Sequence, residues 1–264
     1  MTAPEDLLAV AVEIAREAGE LARTRRSEGV AIAATKSALA DIVTEADREV
    51  EQLIRERLAA ARPGDGFFGE ESAPSASETG VTWVVDPIDG TVNYAAGIGN
   101  YAVSIAAVTG PVAPASWTAQ AGVVFAPALG ETFHATRDGG AWLGKTRLRV
   151  SEPSAAGALL GTGFGYDPAT HAGDLATVAA IMPIARDLRR LGAAAVDLSY
   201  VAAGRLDGYF ERGLQPWDVA AGALLVAEAG GRFSQWERDQ RRNLFIAAGP
   251  SVHDEIVRIL APKI

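Results

Sequence analysis

The stretch that most constrains this chain is a short apolar run that leads into two carboxylates. Val81 to Val85 predict a buried strand, because β-branched and aromatic side chains dominate them. Asp86 and Asp89 follow in a predicted turn, which Pro87 stiffens by fixing φ. Such a turn can aim both carboxylates and the Ile88 carbonyl at one point, and hard oxygen ligands suit Mg²⁺. The stretch therefore predicts a metal site at a strand end.

The next residues predict a phosphate site beside this metal. Gly90 permits close approach of the backbone, and Gly90-Thr91 is the predicted start of a short helix. Unpaired N–H groups at a helix start attract anions such as phosphate. Asp and Gly are also common in ordinary turns, and for an isolated D-x-x-D-G sequence that simpler explanation is the better one.

Further acidic residues extend the prediction, although each also has a simple structural explanation. Glu70 and Glu71 follow the predicted strand Phe67-Phe68 and precede a polar loop, where glutamates are usually exposed. Asp47 lies in the first turn of a predicted helix, where an acid commonly compensates the helix dipole. Asp218 is equally well explained as a helix N-cap. A site that holds two or more metals requires several such carboxylates.

The first half of the chain mixes helices and strands. Apolar spacing predicts one amphipathic helix from Pro4 to Gly29 and a second that Thr44 caps and Arg62 ends, with a strand from Val30 to Thr35 between them. From Tyr101 to Val150 the pattern alternates with the period of a strand and is broken by turns, which predicts an antiparallel meander. The buried face of the second helix is predicted to include Val50, Leu53, Ile54, Leu58 and Ala61.

The second half alternates helix and strand. The small, polar stretch from Ser151 to Gly157 predicts a boundary between an α+β metal-binding subdomain, residues 1–150, and an α/β substrate subdomain, residues 151–264. Predicted helices cover residues 174–181, 193–203, 219–229 and 252–260. Predicted strands cover residues 159–162, 209–211 and 244–247.

Two patterns in this half are interpreted as unrelated to the site. Gly161 to Gly165 is similar to a nucleotide-binding loop, but its third glycine is misplaced for G-x-G-x-x-G, and Tyr166-Asp167-Pro168 does not predict a helix start. The arginines within residues 186–190 and 238–242 are interpreted as solvated surface groups of an acidic chain.

Composition excludes several classes of function. The formal net charge of −9 opposes broad binding to nucleic acid or to anionic membranes. The absence of cysteine excludes disulfides, thiol catalysis and cysteine-based zinc sites. The N-terminus has no basic region followed by an apolar core, and no later run reaches transmembrane length, so the expected location is the cytoplasm.

Four stretches, in the same order along the chain, resemble the inositol monophosphatase family of Mg²⁺-dependent, lithium-sensitive phosphatases, and bacterial members in particular. They are Asp41 to Asp47, Gly69 to Ser72, Trp83 to Tyr94 and Trp217 to Gly222. The resemblance spans nearly the whole chain. It implies a layered αβαβα sandwich, two or three Mg²⁺ ions per site, a small phosphorylated metabolite as substrate, and a homodimer.

The resemblance also implies roles for individual residues. The implied metal ligands are Glu70, Asp86, the Ile88 carbonyl, Asp89 and Asp218, with Asp86 shared between two ions. The implied catalytic residues, which orient and deprotonate the attacking water, are Asp47 and Thr91. The implied substrate contacts are Glu70, Asp89, Gly90, Thr91, Gly192, Ala193, Ala194 and Glu211. An apolar surface for a homodimer is expected from Trp117, Phe125, Phe133 and Trp142, with burial in the core as the alternative for each of them.

The substrate is less constrained than the chemistry. The favoured reaction is hydrolysis of myo-inositol 1-phosphate, but Phe164 replaces a serine found in some inositol-hydrolysing members, and Arg232 and its neighbours replace an acidic residue common after the Gly230-Gly231 pair. Fructose 1,6-bisphosphate, histidinol phosphate, nucleotide 3′-phosphates and the 2′-phosphate of NADP are alternatives. A metal-bound interaction protein with vestigial activity, which binds a transcription component, is the alternative from another class.

Overall fold

Two β-sheets alternate with layers of helices in the computed structural model, which describes residues 2–29, 32–35, 42–153, 155–236 and 242–260. The helices are α1 Pro4–Glu28, α2 Glu45–Ala61, α3 Thr91–Ala96, α4 Pro168–Ile181, α5 Ala194–Ala202, α6 Pro216–Glu228 and α7 Pro250–Leu260. The strands of the first half are β1 Ile32–Thr35, β2 Ile42–Thr44, β3 Gly66–Gly69, β4 Val81–Asp89, β5 Ala102–Thr109, β6 Thr118–Ala126, β7 Glu131–Thr136, β8 Gly140–Leu143 and β9 Thr146–Arg147. Those of the second half are β10 Ala158–Thr162, β11 Ala185–Arg189, β12 Gly208–Arg212, β13 Arg232–Trp236 and β14 Leu244–Ala248.

The first sheet has seven strands, which lie side by side in chain order from β3 to β9. β3 pairs with β4 in parallel, and every later pair is antiparallel, which confirms the predicted meander. One face of this sheet packs against α1 and α2. Thr44 caps α2 as predicted, and Leu58 on its buried face is confirmed, but the prediction that Ala61 is buried is wrong, because the helix ends there in solvent. Val30 and Asp41 lie outside the described residues.

The strand β4 is longer than the sequence predicts. It runs to Asp89 rather than ending at Val85, and all nine of its residues are buried. Its register against β5 is irregular between Asp86 and Asp89. Pro87, which cannot donate a ladder hydrogen bond, lies within this irregularity. The two carboxylates are therefore fixed by strand pairing and not by a free turn.

The helices α5 and α6 form the layer between the two sheets. Apolar residues surround both helices, as expected for helices buried on all sides. A Cβ at Gly122 would lie 3.1 Å from Ala221 Cα, and a Cβ at Gly222 would lie 2.6 Å from Leu198 Cβ. These glycines thus let α6 lie close to the first sheet and to α5. The apolar cluster of this layer joins side chains of both sheets.

The second sheet has five strands in the order β11-β10-β12-β14-β13, with parallel pairs around β10 and antiparallel pairs around β14. Its outer face packs against α4 and α7. The layers thus form the expected αβαβα sandwich. The predicted start of α4 at residue 174 is wrong, and so is the interpretation that Tyr166-Asp167-Pro168 does not start a helix, because α4 begins at Pro168 with Asp167 as its N-cap. The strands β11 and β13 were not predicted. No helix in the described ranges is both long and apolar enough to cross a membrane.

The prediction that Phe125 and Phe133 supply an exposed apolar surface is wrong. Both side chains are buried in the two faces of the first sheet, one against α1 and the other in the central layer. Trp117 and Trp142 are partly exposed.

Candidate active site

A cavity of about 780 Å³ lies between the ends of β4, β10 and β12 and the first turns of α3, α5 and α6. It brings together the metal ligands and substrate contacts that the family resemblance implies. Those that line it are Glu70, Asp86, Ile88, Asp89, Gly90, Thr91, Gly192, Ala193, Ala194, Glu211 and Asp218. Asp47 lies behind the wall, fully buried, and reaches the cavity through Thr91.

Four carboxylates lie near one another at one end of this cavity: Asp86 and Asp89 on β4, Glu70 after β3 and Asp218 on α6. Burial raises the pKa of Asp86, and the nearby charges of Glu70 and Asp89 raise it further. Burial also raises the pKa of Asp89 to about 7, although the hydrogen bonds that it accepts from the N–H groups of Ala195 and Ala194 lower it. The pKa of Asp218 is raised by burial and by the charge of Asp89. These raised pKa values mean that ionisation of the cluster is unfavourable in the absence of a cation. A cation bound among the carboxylates would favour their ionised form.

The donor set fits a hard divalent cation. It offers carboxylates and the Ile88 carbonyl, without imidazole or sulfur, and this is the ligand chemistry of Mg²⁺ and Ca²⁺. Within the described residues, no group of three or more acidic or histidine side chains converges into a ready-made ion site. The carboxylates repel one another, and a divalent ion bound among them would offset that repulsion.

Backbone N–H groups orient three of these carboxylates. Asp89 accepts hydrogen bonds from the N–H groups of Ala194, at 3.1 Å, and Ala195, at 2.7 Å, which open α5. Asp86 accepts one from the Ile88 N–H at 3.1 Å. Asp218 accepts one from the Gln215 N–H at 2.7 Å, so it stabilises the start of α6 while it lines the cavity. The structural and the functional explanations of Asp218 are therefore compatible.

Asp47 and Thr91 form a hydrogen-bonded pair beside the carboxylates. Asp47 Oδ2 accepts from the Thr44 N–H at 2.8 Å and from the Thr44 hydroxyl at 2.5 Å. The Thr91 hydroxyl lies 3.1 Å from Asp47 Oδ1 and 3.0 Å from the Ile88 carbonyl oxygen. Burial raises the pKa of Asp47, while the hydrogen bonds from Thr44 lower it. Asp47 thus combines a helix cap with a contact to the cavity wall.

Gly90 is required by its surroundings. Its φ of +89° is in the left-handed region, and a Cβ there would lie 2.8 Å from the Asn100 carbonyl oxygen and 3.0 Å from Ala193 Cβ. The helix α3 that follows has only six residues, so any anion would be attracted by individual N–H groups and not by a long helix dipole. Gly90 therefore allows α3 and the loop before α5 to meet at the cavity.

The opposite side of the cavity carries Glu211, whose pKa burial raises to about 7. The Tyr209 hydroxyl donates a hydrogen bond to its Oε2. A Cβ at Gly163 would collide with the same carboxylate, so the glycine that follows β10 makes room for it. The residues from Gly163 to Asp167 line the cavity. The sequence analysis related only Phe164 of this run to the substrate and gave the other four no role in the site.

Two arginines at the cavity were also missed. Arg190 and Arg242 line it, so the prediction that the arginine groups at 186–190 and 238–242 are only solvated surface is wrong for both. Arg242 is pinned by Asp174, with Nη1 to Oδ1 at 3.0 Å and Nη2 to Oδ2 at 3.1 Å. The one local signal was that Arg190 precedes the glycine of the Gly192 to Ala194 run.

Comparisons with known proteins agree with this geometry. The model of the inositol monophosphatase family matches residues 3–261. An inositol-1-monophosphatase SuhB from Mycobacterium tuberculosis is 42% identical over 278 residues, covering 97% of this chain and 94% of that protein. A protein from Haemophilus influenzae named Nus factor SuhB is 37% identical, covering 97% of this chain and 96% of that protein.

A solved structure has the same fold. The extragenic suppressor protein suhB from Bartonella henselae superposes with a TM-score of 0.87 at 34% identity, covering 98% of this chain and 99% of that chain. The family match over nearly the whole length and these identities are sufficient to assign the family. The chain therefore belongs to the inositol monophosphatase family and is a phosphoric monoester hydrolase.

Proposed function

We propose that this chain hydrolyses myo-inositol 1-phosphate to myo-inositol and phosphate, and that it requires Mg²⁺. The observation that supports this most is the Asp47–Thr91 pair, which lies at the same cavity wall as four carboxylates and a backbone carbonyl. The ligands would be Glu70, Asp86, the Ile88 carbonyl, Asp89 and Asp218. Divalent ions held there would supply neutralisation of phosphate charge and a lowered pKa of water.

The protein groups around that centre would orient and deprotonate the attacking water. The Thr91 hydroxyl has one proton and two lone pairs. When it donates to Asp47 Oδ1, its oxygen can accept a proton from water, so a proton can pass from water through Thr91 to the carboxylate. The pKa of Asp47, raised by burial, favours acceptance of that proton. The N–H groups of Gly90 and Thr91 would bind the phosphate oxygens.

The alcohol part of the substrate would lie on the Glu211 side of the cavity. A buried carboxylate that accepts from Tyr209 has lone pairs left for hydroxyl groups of a polyol. Gly192 and Ala193 would contact the ring. The Ala194 N–H is already donated to Asp89, so contact of Ala194 with the substrate would involve its methyl group.

Phosphate release tests this function. The purified protein would be assayed with Mg²⁺ against myo-inositol 1-phosphate, fructose 1,6-bisphosphate, histidinol phosphate, a nucleotide 3′-phosphate and NADP, with excess chelator as the control. The proposal expects the highest kcat/KM for inositol phosphate and no turnover with chelator. A higher kcat/KM for another ester would make that ester the assigned substrate in place of inositol phosphate. Turnover in excess chelator would refute the proposed requirement for Mg²⁺.

A regulatory role is the second candidate, because the relative from Haemophilus influenzae is named a Nus factor. Such a role would consist of binding a transcription component without turnover. The retained carboxylates and the Asp47–Thr91 pair favour catalysis. A protein that bound Mg²⁺ but released no phosphate from any substrate above would favour the regulatory role.

We also propose a homodimer and a functional division near residue 150. Trp117 and Trp142 are the two aromatic residues of the expected surface that remain partly exposed. The division would assign metal binding mainly to residues 1–150 and substrate contacts mainly to residues 151–264. Light scattering at micromolar concentration would test the dimer, and a monomer mass would refute it.

A further inference from the structure

The cavity wall around Glu211 is built from two loops that follow different strands. Residues 163–167 follow β10 and lead into α4, and residues 212–215 follow β12 and lead into α6. Both loops line the cavity. None of residues 163–173 belongs to the apolar clusters that the described residues form. The first loop and the start of α4 are therefore held by polar contacts and not by packing into an apolar core.

Asp174 and Arg242 supply these polar contacts. Asp174 lies on α4, is only 4% exposed and does not line the cavity. Its carboxylate accepts from both Nη groups of Arg242, at 3.0 and 3.1 Å, in the paired geometry that arginine forms with carboxylates. The same carboxylate accepts the Gly165 N–H of the first loop at 3.0 Å. Arg242 Nη2 also donates to the Arg212 carbonyl oxygen of the second loop at 3.0 Å. One ion pair thus joins the two loops.

The backbone of both loops is shaped around the Arg242 guanidinium. A Cβ at Gly165 would lie 2.8 Å from Arg242 Nη2, and a Cβ at Gly213 would lie 3.0 Å from Arg242 Nε. The first loop is tied to α4 a second time, because His171 Nε2 lies 3.0 Å from the Gly165 carbonyl oxygen. A larger residue at either glycine would push the guanidinium away from its loop. The loops therefore keep their separation only while Arg242 lies between them.

The Asp174–Arg242 pair adjoins the groups that would face the alcohol part of the substrate. Arg212 directly follows Glu211, and Gly163 of the first loop leaves the space that the Glu211 carboxylate occupies. Removing one partner of a buried ion pair leaves an unpaired charge, and movement of the loops would expose that charge to water. The proposed metal ligands would be less affected. Even Asp218, which follows the second loop, lies on α6, and the central apolar layer holds that helix.

We propose that Asp174 and Arg242 are positioning residues, which set the affinity for the alcohol part of the substrate by holding the two loops together. This inference rests on the proposed function, because it places the alcohol part on the Glu211 side of the cavity. Neither residue takes part in the chemical step. Loss of the pair should therefore raise KM, while kcat and the Mg²⁺ requirement stay near wild type.

A small set of variants isolates the pair. Arg242→Gln and Asp174→Ala each remove one partner, their combination removes both, and Arg242→Lys keeps the charge but lacks the planar fork. Arg57→Gln is the matched control, because Arg57 forms an ion pair of 2.6 Å with Glu17 and neither residue lines the cavity. Circular dichroism and the thermal midpoint establish that each variant is folded.

Steady-state kinetics with myo-inositol 1-phosphate give the first readout. Arg242→Gln and Asp174→Ala are each expected to raise KM by about 10- to 100-fold, the effect of one or two misplaced hydrogen bonds, with kcat within about threefold of wild type. The double variant should be no worse than either single one, because the partners act as a unit. Arg242→Lys should lie between Arg242→Gln and the wild type. The inhibition constant of inorganic phosphate, which would occupy only the carboxylate end, should stay within about twofold.

Asp174→Ala is the decisive variant, because Asp174 does not line the cavity. If Arg242 acted only by touching the substrate, Arg242→Gln alone would raise KM. Hydrogen exchange supplies a readout that needs no substrate. Peptides from residues 163–173 should exchange about 10-fold faster or more in both single variants, whereas peptides from β4 and α5 should not change.

Several outcomes would overturn the positioning role. They are an unchanged KM or unchanged exchange in Asp174→Ala, a fall in kcat as large as the rise in KM, and an equal effect of Arg57→Gln. If the wild type turns over inositol phosphate and the variants keep its KM, the proposed function stands and the positioning role fails. If the wild type releases no phosphate from this ester, the proposed function fails. Calorimetric titration of the same ester with Ca²⁺ in place of Mg²⁺ then tests the positioning role through Kd.

Discussion

At the scale of single residues, Asp47 serves two purposes with its two oxygens. Oδ2 accepts the N–H and the hydroxyl of Thr44 and so fixes the start of α2. Oδ1 accepts from Thr91 at the cavity wall. Because the cap holds the carboxylate in place, Oδ1 is already oriented toward Thr91 before any substrate binds. The helix cap therefore preorganises the proposed base.

The change Asp47→Asn should separate the two purposes. The amide oxygen can keep the cap, but the amide nitrogen that then faces Thr91 cannot accept a proton. We expect kcat to fall by about 10²- to 10⁴-fold, the usual contribution of a general base. Substrate KM and Mg²⁺ affinity, measured by kinetics and titration calorimetry, should stay near wild type. Loss of metal from this variant would make Asp47 a ligand or only a cap, and an unchanged kcat would remove the proposed relay.

The change Asp89→Asn should act on the metal. It keeps the shape of the side chain but removes the charge and one of the two acceptors that face Ala194 and Ala195. We expect hydrolysis nearly to vanish, while circular dichroism shows a folded protein whose thermal midpoint is only slightly lower. Full turnover in this variant would contradict the metal assignment. Glu28→Gln, which removes a carboxylate from an exposed pair with Arg25, is a control that should change neither property.

At the scale of elements, local sequence patterns correctly predicted the features that residues adjacent in sequence determine. The capped start of α2, the meander and most helices were correct, because caps, turns and apolar periods act within one segment. The end of β4 and the start of α4 were not. Pro87 suggested a turn, but pairing with β5 extends the strand to Asp89. The place of Arg190 at the cavity was missed, because no local pattern shows that the missing side chain of Gly192 leaves room for the Arg190 guanidinium.

Glu51 shows how a helix can position a proposed metal ligand that follows another element. It is buried on α2, and its Oε2 accepts the Glu71 N–H at 2.8 Å, next to Glu70. A Cβ at Gly69 would collide with that carboxylate, so glycine allows the contact. Glu51→Ala should therefore weaken Mg²⁺ binding by about 10- to 100-fold, as is common for groups that orient ligands.

The matched change Glu51→Gln keeps an acceptor for the Glu71 N–H and should retain Mg²⁺ affinity within a few-fold of wild type. Titration calorimetry and the Mg²⁺ dependence of kcat would measure both variants. Equal affinity in the alanine variant and the wild type would show that the loop holds Glu70 without Glu51.

At the scale of the whole molecule, the buried carboxylates predict a stability that depends on pH and on bound metal. Asp89 and Glu211 have folded-state pKa values of about 7, above the ordinary value near 4 in an unfolded chain. Between these values the folded state binds more protons than the unfolded state. Raising the pH through this window therefore destabilises the metal-free protein.

We expect the thermal midpoint without divalent ions to be roughly 5–10 °C lower at pH 8 than at pH 5.5. Adding Mg²⁺ at pH 8 should recover much of this difference, because the ion binds only the folded state. Differential scanning calorimetry measures both effects, and Asp89→Asn should show a smaller pH dependence. A metal-free midpoint that rose from pH 5.5 to pH 8 would contradict the burial of these charges.

The central helices also have a consequence during protein synthesis. One face of the first sheet is covered by α5 and α6, yet α6 ends roughly 80 residues after β9. At ~5–20 residues per second, a ribosome needs roughly 4–16 s to make that segment. For that time the nascent chain has a nearly complete sheet with one apolar face uncovered. The segment that brings Asp218 to the site is also the one that covers this face, so the same stretch of synthesis completes the proposed ligand set and removes the apolar face from solvent.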